Sequence, residues 1–374
     1  MQCEERRKMS EPLAAADSSS SLNAIQPGGV AHTPPASTEP GRPGVHRLGY
    51  RGWSGQMEGG WFSWVVIATV GVRRAWTSSW LKRMLFLAWL PAVWFGAGFF
   101  IWEQAALDGE WQLAAGQMMR GLPPTPVFDK IRESVQTGDF ESSRHMVWAW
   151  LLQSFFRYPQ GVLMVLVVGM VAPPLISQDI RSRAFLLYFS RPLSRGQYVL
   201  GKLATLWTFL SIVTAAPALV LYVMGVLLSP HLGVIAATWD LPLRIIAASV
   251  VLMLPTSMLA LCFSSMTKES RFAAFVWFVV WILGWFTFVA ATTAAALNSP
   301  DVERTRRGMR EVRYALEESA WTNLSLYHTL GRVQSWVFGF TPFEDVLVPL
   351  GILMSVTLLS LLILLRKISA PMRV

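Results

Sequence analysis

Charge is scarce in this 374-residue chain, where Asp, Glu, Lys and Arg together make up 15%, against roughly 25% in ordinary soluble domains. Cysteine is scarcer still. Cys3 stands in a polar tail and Cys262 in an apolar run, so there is no disulfide framework and no CxxC pair for zinc or redox chemistry. All five histidines, His32, His46, His145, His231 and His328, fall outside the longest apolar runs. That argues against the Ser/His and metal–histidine arrangements of an intramembrane hydrolase. Nor does any Asp, Glu, Lys or Arg enter the middle of those runs. Secondary transporters usually need ionisable groups there to carry a proton or sodium ion, so the energy for any transport is expected from outside the chain.

What the sequence has instead is 53% hydrophobic residues, gathered into blocks of about twenty, the length that crosses a hydrocarbon core roughly 30 Å thick. Six such spans are predicted, at Met84–Trp102, Gln160–Ile176, Leu203–Leu228, Ile245–Ser264, Phe272–Leu297 and Val346–Leu365. The fold class is therefore an all-α integral membrane protein with six transmembrane helices. Prolines at 91, 173, 174, 217 and 255 fall within the spans. They are tolerable where neighbours satisfy the freed carbonyls, and serve either as hinges or as ordinary kinks. Ser211, Thr214, Thr256, Ser257, Thr287, Thr292 and Thr293 are the small set of span hydroxyls available as helix–helix contacts.

The formal charge of +9, from 32 basic and 23 acidic residues, fits either nucleic-acid binding or a positive-inside bias. Position decides between them. Basic residues crowd three short connections and the C-terminus: Arg73, Arg74, Lys82 and Arg83; Arg181, Arg183, Arg191, Arg195 and Lys202; Lys268 and Arg271; Arg366, Lys367 and Arg373. These segments are expected to be cytoplasmic, with both termini on that side of the cell (inner) membrane. The opposite side then carries long loops at 103–159 and 298–342. Residues 301–318 mix five arginines with Glu303, Glu311, Glu317 and Glu318, with pairs at i,i+4, as in a solvated helix and unlike a nucleic-acid patch. Leu324–Phe340 is apolar but broken by Gly331 and Gly339, which predicts a re-entrant or interfacial segment before the last span.

Ahead of the spans, residues 1–58 are rich in Ser, Pro, Gly and Ala and are expected to form a disordered tail. Met57 offers an alternative start of translation. Residues 59–83 form the next unit. Trp61–Val72 is too short to span a bilayer, and it is followed by Arg73, Arg74, Trp76, Trp80, Lys82 and Arg83. Tryptophan beside basic residues suits the membrane–water interface. This reads as an interfacial elbow helix leading into the six-span domain at 84–374; an early extension of the first span is the alternative.

Gly196–Lys202 satisfies GxxxxGK, but Leu203 lacks the hydroxyl that would hold Mg²⁺, and the match opens a transmembrane helix. It does not read as a nucleotide site. The richer segment is the one around it, from Ile176 to Lys202. A span end gives way to polar and basic residues, breaks at Pro192, and re-enters the next span with Ser194 as candidate N-cap. On the residues alone, it either docks a cytoplasmic partner or anchors a loop to lipid headgroups.

The order Asp179, Leu186, Leu187, Ser190, Pro192, Ser194, Arg195, Tyr198, Gly201 and Lys202 resembles the membrane subunit of an ABC-2-type transporter. The elbow, the six-span layout and the broken segment before the last span belong to the same resemblance. Arg181 departs from it, standing where a second acidic residue is common, and Arg183-Ala184 replace the usual Gly-Thr. The resemblance implies a permease, normally an exporter, in which two such subunits, identical or different, pair with separate ABC ATPase subunits. Those partners would bind ATP and Mg²⁺, and this chain would hold no cofactor and do no catalysis. It further implies that a cytoplasmic coupling helix segment containing Asp179, Arg181, Arg183, Ser190, Arg191, Pro192, Ser194, Arg195, Tyr198, Gly201 and Lys202 receives the ATPase. Membrane lipid is the other expected partner. A non-transporting scaffold or sensor that recruits partners through its basic loop is the reading from another class.

Overall fold

The computed structural model describes residues 62–107, 109–119, 126–184, 193–298 and 323–369. The tail at 1–58, the start of the elbow unit, the charged segment 301–318 and residues 185–192 lie outside them. Every regular element among the described residues is helical. In chain order these are α1 (Ser63–Trp76), α2 (Ser79–Leu87), α3 (Leu90–Leu107), α4 (Gln112–Met119), α5 (Pro126–Thr137), α6 (Phe140–Phe155), α7 (Gly161–Arg181), α8 (Arg195–Val213), α9 (Ala215–Leu228), α10 (Val234–Thr238), α11 (Asp240–Met266), α12 (Ser270–Asn298), α13 (Leu326–Val337) and α14 (Leu347–Ser369).

Six stretches among the described residues are long and apolar enough to cross a membrane: Ser79–Leu107, Phe140–Arg181, Arg195–Leu228, Val234–Met266, Ser270–Ala291 and Glu344–Ile368. Each predicted span falls on one of them, the fifth, Phe272–Leu297, running on past Ala291 along α12. Their surfaces carry Trp94, Phe272, Phe286 and Leu359 largely exposed. So much open apolar surface would be a liability in water and is what a lipid solvent requires.

The boundaries differ most in the second span, which begins at Phe140 and not at Gln160. Helices α6 and α7 join through one wide π-type turn, Phe156–Gln160, that accommodates Pro159. The segment 103–159, read from sequence as a loop, is thus mostly helical, comprising the end of α3, then α4, α5 and α6. A 42-residue helical stretch measures about 63 Å, twice the hydrocarbon thickness. Its first half therefore extends past one hydrocarbon thickness, and around it Phe99, Trp102, Phe128, Phe140, Trp148 and Phe155 form a core of their own. The main bundle core, with Val168, Leu206, Phe209, Leu252, Leu261 and Trp277, is separate.

Two proline sites show how hydroxyls brace the helices near a break in the regular sequence pattern. Proline breaks the third span into α8 and α9: Pro217 has no N–H to give Val213, and the chain bends at Thr214, whose hydroxyl donates to Leu210 O at 2.8 Å. In α7, Pro173 and Pro174 have no N–H for the carbonyls of Gly169 and Met170, and just beyond them Ser264 of α11 braces the helix. Its Oγ accepts from the N–H groups of Ile176 and Ser177, both at 3.1 Å, and donates to Pro173 O at 2.7 Å. Ser264 is completely buried, so water cannot replace it. The predicted segment Leu324–Phe340 forms α13, whose buried face carries Leu330, Val333 and Gln334. It ends in a turn at Gly339, at φ +87°, against Arg244.

Ser264→Ala leaves two buried amides without their hydroxyl partner and should cost about 1–3 kcal/mol. Reversible unfolding of the purified protein in mixed micelles measures this. A loss below about 0.3 kcal/mol would show that the α7 amides find other partners.

Candidate functional site

Helix α7 ends at Arg181 because the next residues turn left-handed. Arg183 has φ +53°, the N–H of Ala184 reaches back to Asp179 O at 3.0 Å, and that of Arg183 to Ile180 O at 3.3 Å. This is a Schellman ending, in which glycine is usual at the left-handed position. Arg183 fills the place where the resemblance expects glycine, and it bears the steric cost of a Cβ there.

Helix α8 starts with an equally specific device. The Ser194 hydroxyl accepts from Gln197 N–H at 3.2 Å, and the Gln197 side chain accepts from Ser194 N–H at 3.0 Å. This capping box holds two otherwise orphaned donors. It fixes the direction in which α8 enters the bundle, and so the positions of Tyr198 and Lys202, one helical turn apart.

Those two side chains meet Asp179. Lys202 Nζ lies 2.6 Å from Asp179 Oδ2, and the Tyr198 hydroxyl donates to the same oxygen at 2.8 Å. Both charged side chains are 8% exposed. The ammonium also lies 5.4 Å from the Tyr198 ring centre, where the face of the ring attracts a cation. The resulting triad joins the end of the second span to the start of the third. The first turns of α8 contain the whole GxxxxGK stretch, and its lysine is engaged by Asp179.

Beside the triad, α1 lies across α8. A Cβ on Gly201 would stand 2.7 Å from Ile67 Cβ and 2.9 Å from Trp64 O, and one on Gly71 would strike Thr205. Only bare backbone permits this crossing. Arg73, Arg74, Trp76, Trp80, Lys82 and Arg83 all remain exposed. Trp76 stacks on Phe209 at 6.0 Å, and Arg83 sits over the Trp80 ring at 5.5 Å.

The residues predicted to meet a partner thus fall into three groups. Asp179, Tyr198, Gly201 and Lys202 are turned inward and hold helices together. Arg181, Arg183, Ser194 and Arg195 are on the surface, where Arg181 pairs with Glu269 of the α11–α12 connection at 3.6 Å. Ser190, Arg191 and Pro192 lie outside the described residues.

The bundle's opposite end holds polar contacts that the sequence reading did not single out. Arg144 Nε and Trp148 Nε1 both donate to Glu103 Oε1, at 3.2 and 3.0 Å, with Glu103 fully buried. Asp240 accepts from Arg244 Nε at 2.7 Å and faces His145 Nε2 at 2.9 Å. Arg157 donates to Tyr327 O at 2.8 Å, while the Tyr327 hydroxyl donates to Arg157 O at 2.6 Å. The available signal was spacing. Arg157 stands twenty-two residues before Asp179, about 33 Å along a helix, close to one hydrocarbon thickness.

A family model described as ABC-2 family transporter protein matches residues 131–367. No curated protein matches the chain. The matched stretch contains the triad, both capping devices and five of the six candidate spans.

Lys202→Met should cost about 3–5 kcal/mol, because it strands a buried carboxylate. The double variant Asp179→Asn/Lys202→Met should regain at least half of that. Unfolding titrations of both single variants and the double variant test this, and strictly additive losses would contradict a coupled pair. Gly201→Ala should cost about 1–3 kcal/mol through overpacking against α1. Truncating Ile67 to Ala in the same chain should restore part of it.

Proposed function

Since the chain belongs to the ABC-2 family of transporter proteins, we propose that it is the membrane subunit of an ATP-driven exporter whose ATPase docks at the segment between α7 and α8. Such a permease is a multi-pass membrane protein that works with an ABC ATPase and is generally not catalytic itself. In this reading the chain lies in the inner membrane with both termini cytoplasmic. Two copies, or this chain and a related one, form the translocation unit, and ATP and Mg²⁺ are bound by the ATPase subunits.

The observation that carries the docking assignment is the triad. A partner pressing on residues 180–197 pushes on a connection whose two ends are locked to each other by Asp179, Tyr198 and Lys202. The force is then delivered to the second and third spans together and not lost in bending the connection. Exposed Arg181, Arg183 and Arg195 supply the positive surface for the partner, and α1, crossing α8 at Gly201, moves with the same unit. Closure of the ATPases would rock the helical bundle as a rigid body, a known form of switching motion.

Co-expression with candidate ABC ATPases followed by purification in detergent tests the assignment. The expected result is a stable complex with nucleotide-dependent ATPase activity. A chain that recruits no ATPase and supports no ATP-dependent flux in liposomes would instead favour the scaffold reading. Arg195→Glu should reduce stimulated ATPase activity several-fold while leaving membrane insertion and the yield of folded protein unchanged. Full stimulation in that variant would remove Arg195 from the docking surface.

A further inference from the structure

The buried apolar side chains form two cores, and the first four spans each pass from one to the other. In the first span Leu81, Leu85 and Ala88 belong to the main bundle core, and Ala92, Phe99 and Trp102 to the core around Trp148. The second span changes between Met164 and Phe156, the third between Val213 and Ala218, and the fourth between Leu252 and Ala248. The parts on the far side of these changes, α3 to α6, α9, α10 and the first turns of α11, make up a cap. Among the described residues, α12 and α14 add side chains to the bundle core alone.

The changes coincide with weakened backbone. Between α2 and α3 the regular ladder stops: Trp89 N–H reaches Phe86 O at 3.1 Å in a tighter turn, and Pro91 has no N–H for Leu87 O. Between α6 and α7 stands the π-type turn with Pro159, and between α8 and α9 the bend at Thr214 with Pro217. Helix α11 passes through unbroken, although Pro255 within it has no N–H for Val251 O. The three breaks lie side by side. Gln160, at the end of the π-type turn, donates to Ala88 O at 3.0 Å. Gly96 of α3 lies against Leu221 and Met224 of α9, and because both helices run from the bundle into the cap, Pro91 stands about level with Pro217.

A helix resists bending through its backbone hydrogen bonds and yields where they are missing. Packed cores do not deform continuously, so relative motion collects at the boundary between them. We propose that this layer of breaks is a hinge, about which the cap turns as one body against the bundle, with α11 as the least yielding member of the joint. Pro91, Pro159 and Pro217 thereby separate from Pro173 and Pro174, which lie inside the bundle core next to Ala172 and Leu175 and are ordinary kinks. The rotation adds to any tilt of the bundle that carries the cap along, and its existence does not depend on the transport assignment.

Double electron–electron resonance on the full-length protein in nanodiscs tests this, with Cys3→Ser and Cys262→Ala removing the native thiols. Labelled protein is diluted in unlabelled protein, so that only distances within one chain are read. The label pairs are Leu107→Cys with Leu227→Cys within the cap, Phe275→Cys with Leu359→Cys within the bundle, and Leu107→Cys with Leu359→Cys across the layer, all at exposed positions. Leu107 lies about 24 Å beyond Pro91 along α3, so a turn of roughly 10°, on the scale of known rigid-body switches, moves it about 4 Å. The two pairs within one body should give narrow distributions, and the pair across the layer a distribution wider by about 4 Å or split in two. Pro91→Ala combined with Pro217→Ala restores both backbone donors and should narrow the cross-layer distribution. A cross-layer distribution as narrow as the other two, a within-cap distribution as wide as the cross-layer one, or an unchanged width in the folded proline variant would overturn the proposal. Should the proline variant not fold, the three pairs in the parent protein decide.

Discussion

Hydrocarbon offers no hydrogen bonds, and nearly every specific contact in this protein answers to that constraint. A backbone amide or an ion that water would satisfy elsewhere must here find its partner in another helix. The Ser264 hydroxyl against Pro173 O and the amides of Ile176 and Ser177, and the carboxylate of Asp179 between Tyr198 and Lys202, are two solutions to the same problem. Both also hold helices in register. Satisfying the polar group and fixing the geometry are one act, because the partner can come only from a neighbouring helix.

The constraint also divides the molecule along its length. Between the Asp179 triad and the Arg157 layer the helices meet through apolar side chains, small residues and uncharged hydrogen-bonding groups such as Ser264, Trp277 and Gln160. At both ends the contacts become ionic. Glu103 with Arg144, Asp240 with Arg244 and His145, and Asp179 with Lys202 all lie where a long helix leaves the bilayer interior. Such pairs add little net stability compared with apolar packing, but breaking one is expensive. They therefore resist sliding of one span past another more than they strengthen the whole.

Much of this was legible in the sequence. The six spans follow from hydropathy, the Ser194 cap from residue type after a proline, and the segment holding Asp179, Tyr198 and Lys202 was marked out by resemblance, though not their contact. The direction in which those three point was not legible. They looked like docking residues because they are polar and near a span end, whereas the i,i+4 spacing of Tyr198 and Lys202 places both on the buried face of α8. The projecting half of the second span was hidden for a different reason. Arg144, His145 and Arg157 interrupt its apolar pattern, and only the tertiary partners Glu103, Asp240 and Tyr327 explain their presence in a continuous helix. Pro159 adds to this, since the chain accommodates it by one π-type turn and continues.

That continuity makes the second span a lever. One end is clamped at Asp179, and its helical path runs for 42 residues, about 63 Å at the usual rise. A tilt of roughly 5° about the clamp would sweep the far end through about 5 Å, close to one helical pitch. The projecting cap built around Trp148 would travel with it. Motion too small to disturb packing near the clamp is thus magnified where the protein faces the other side of the membrane.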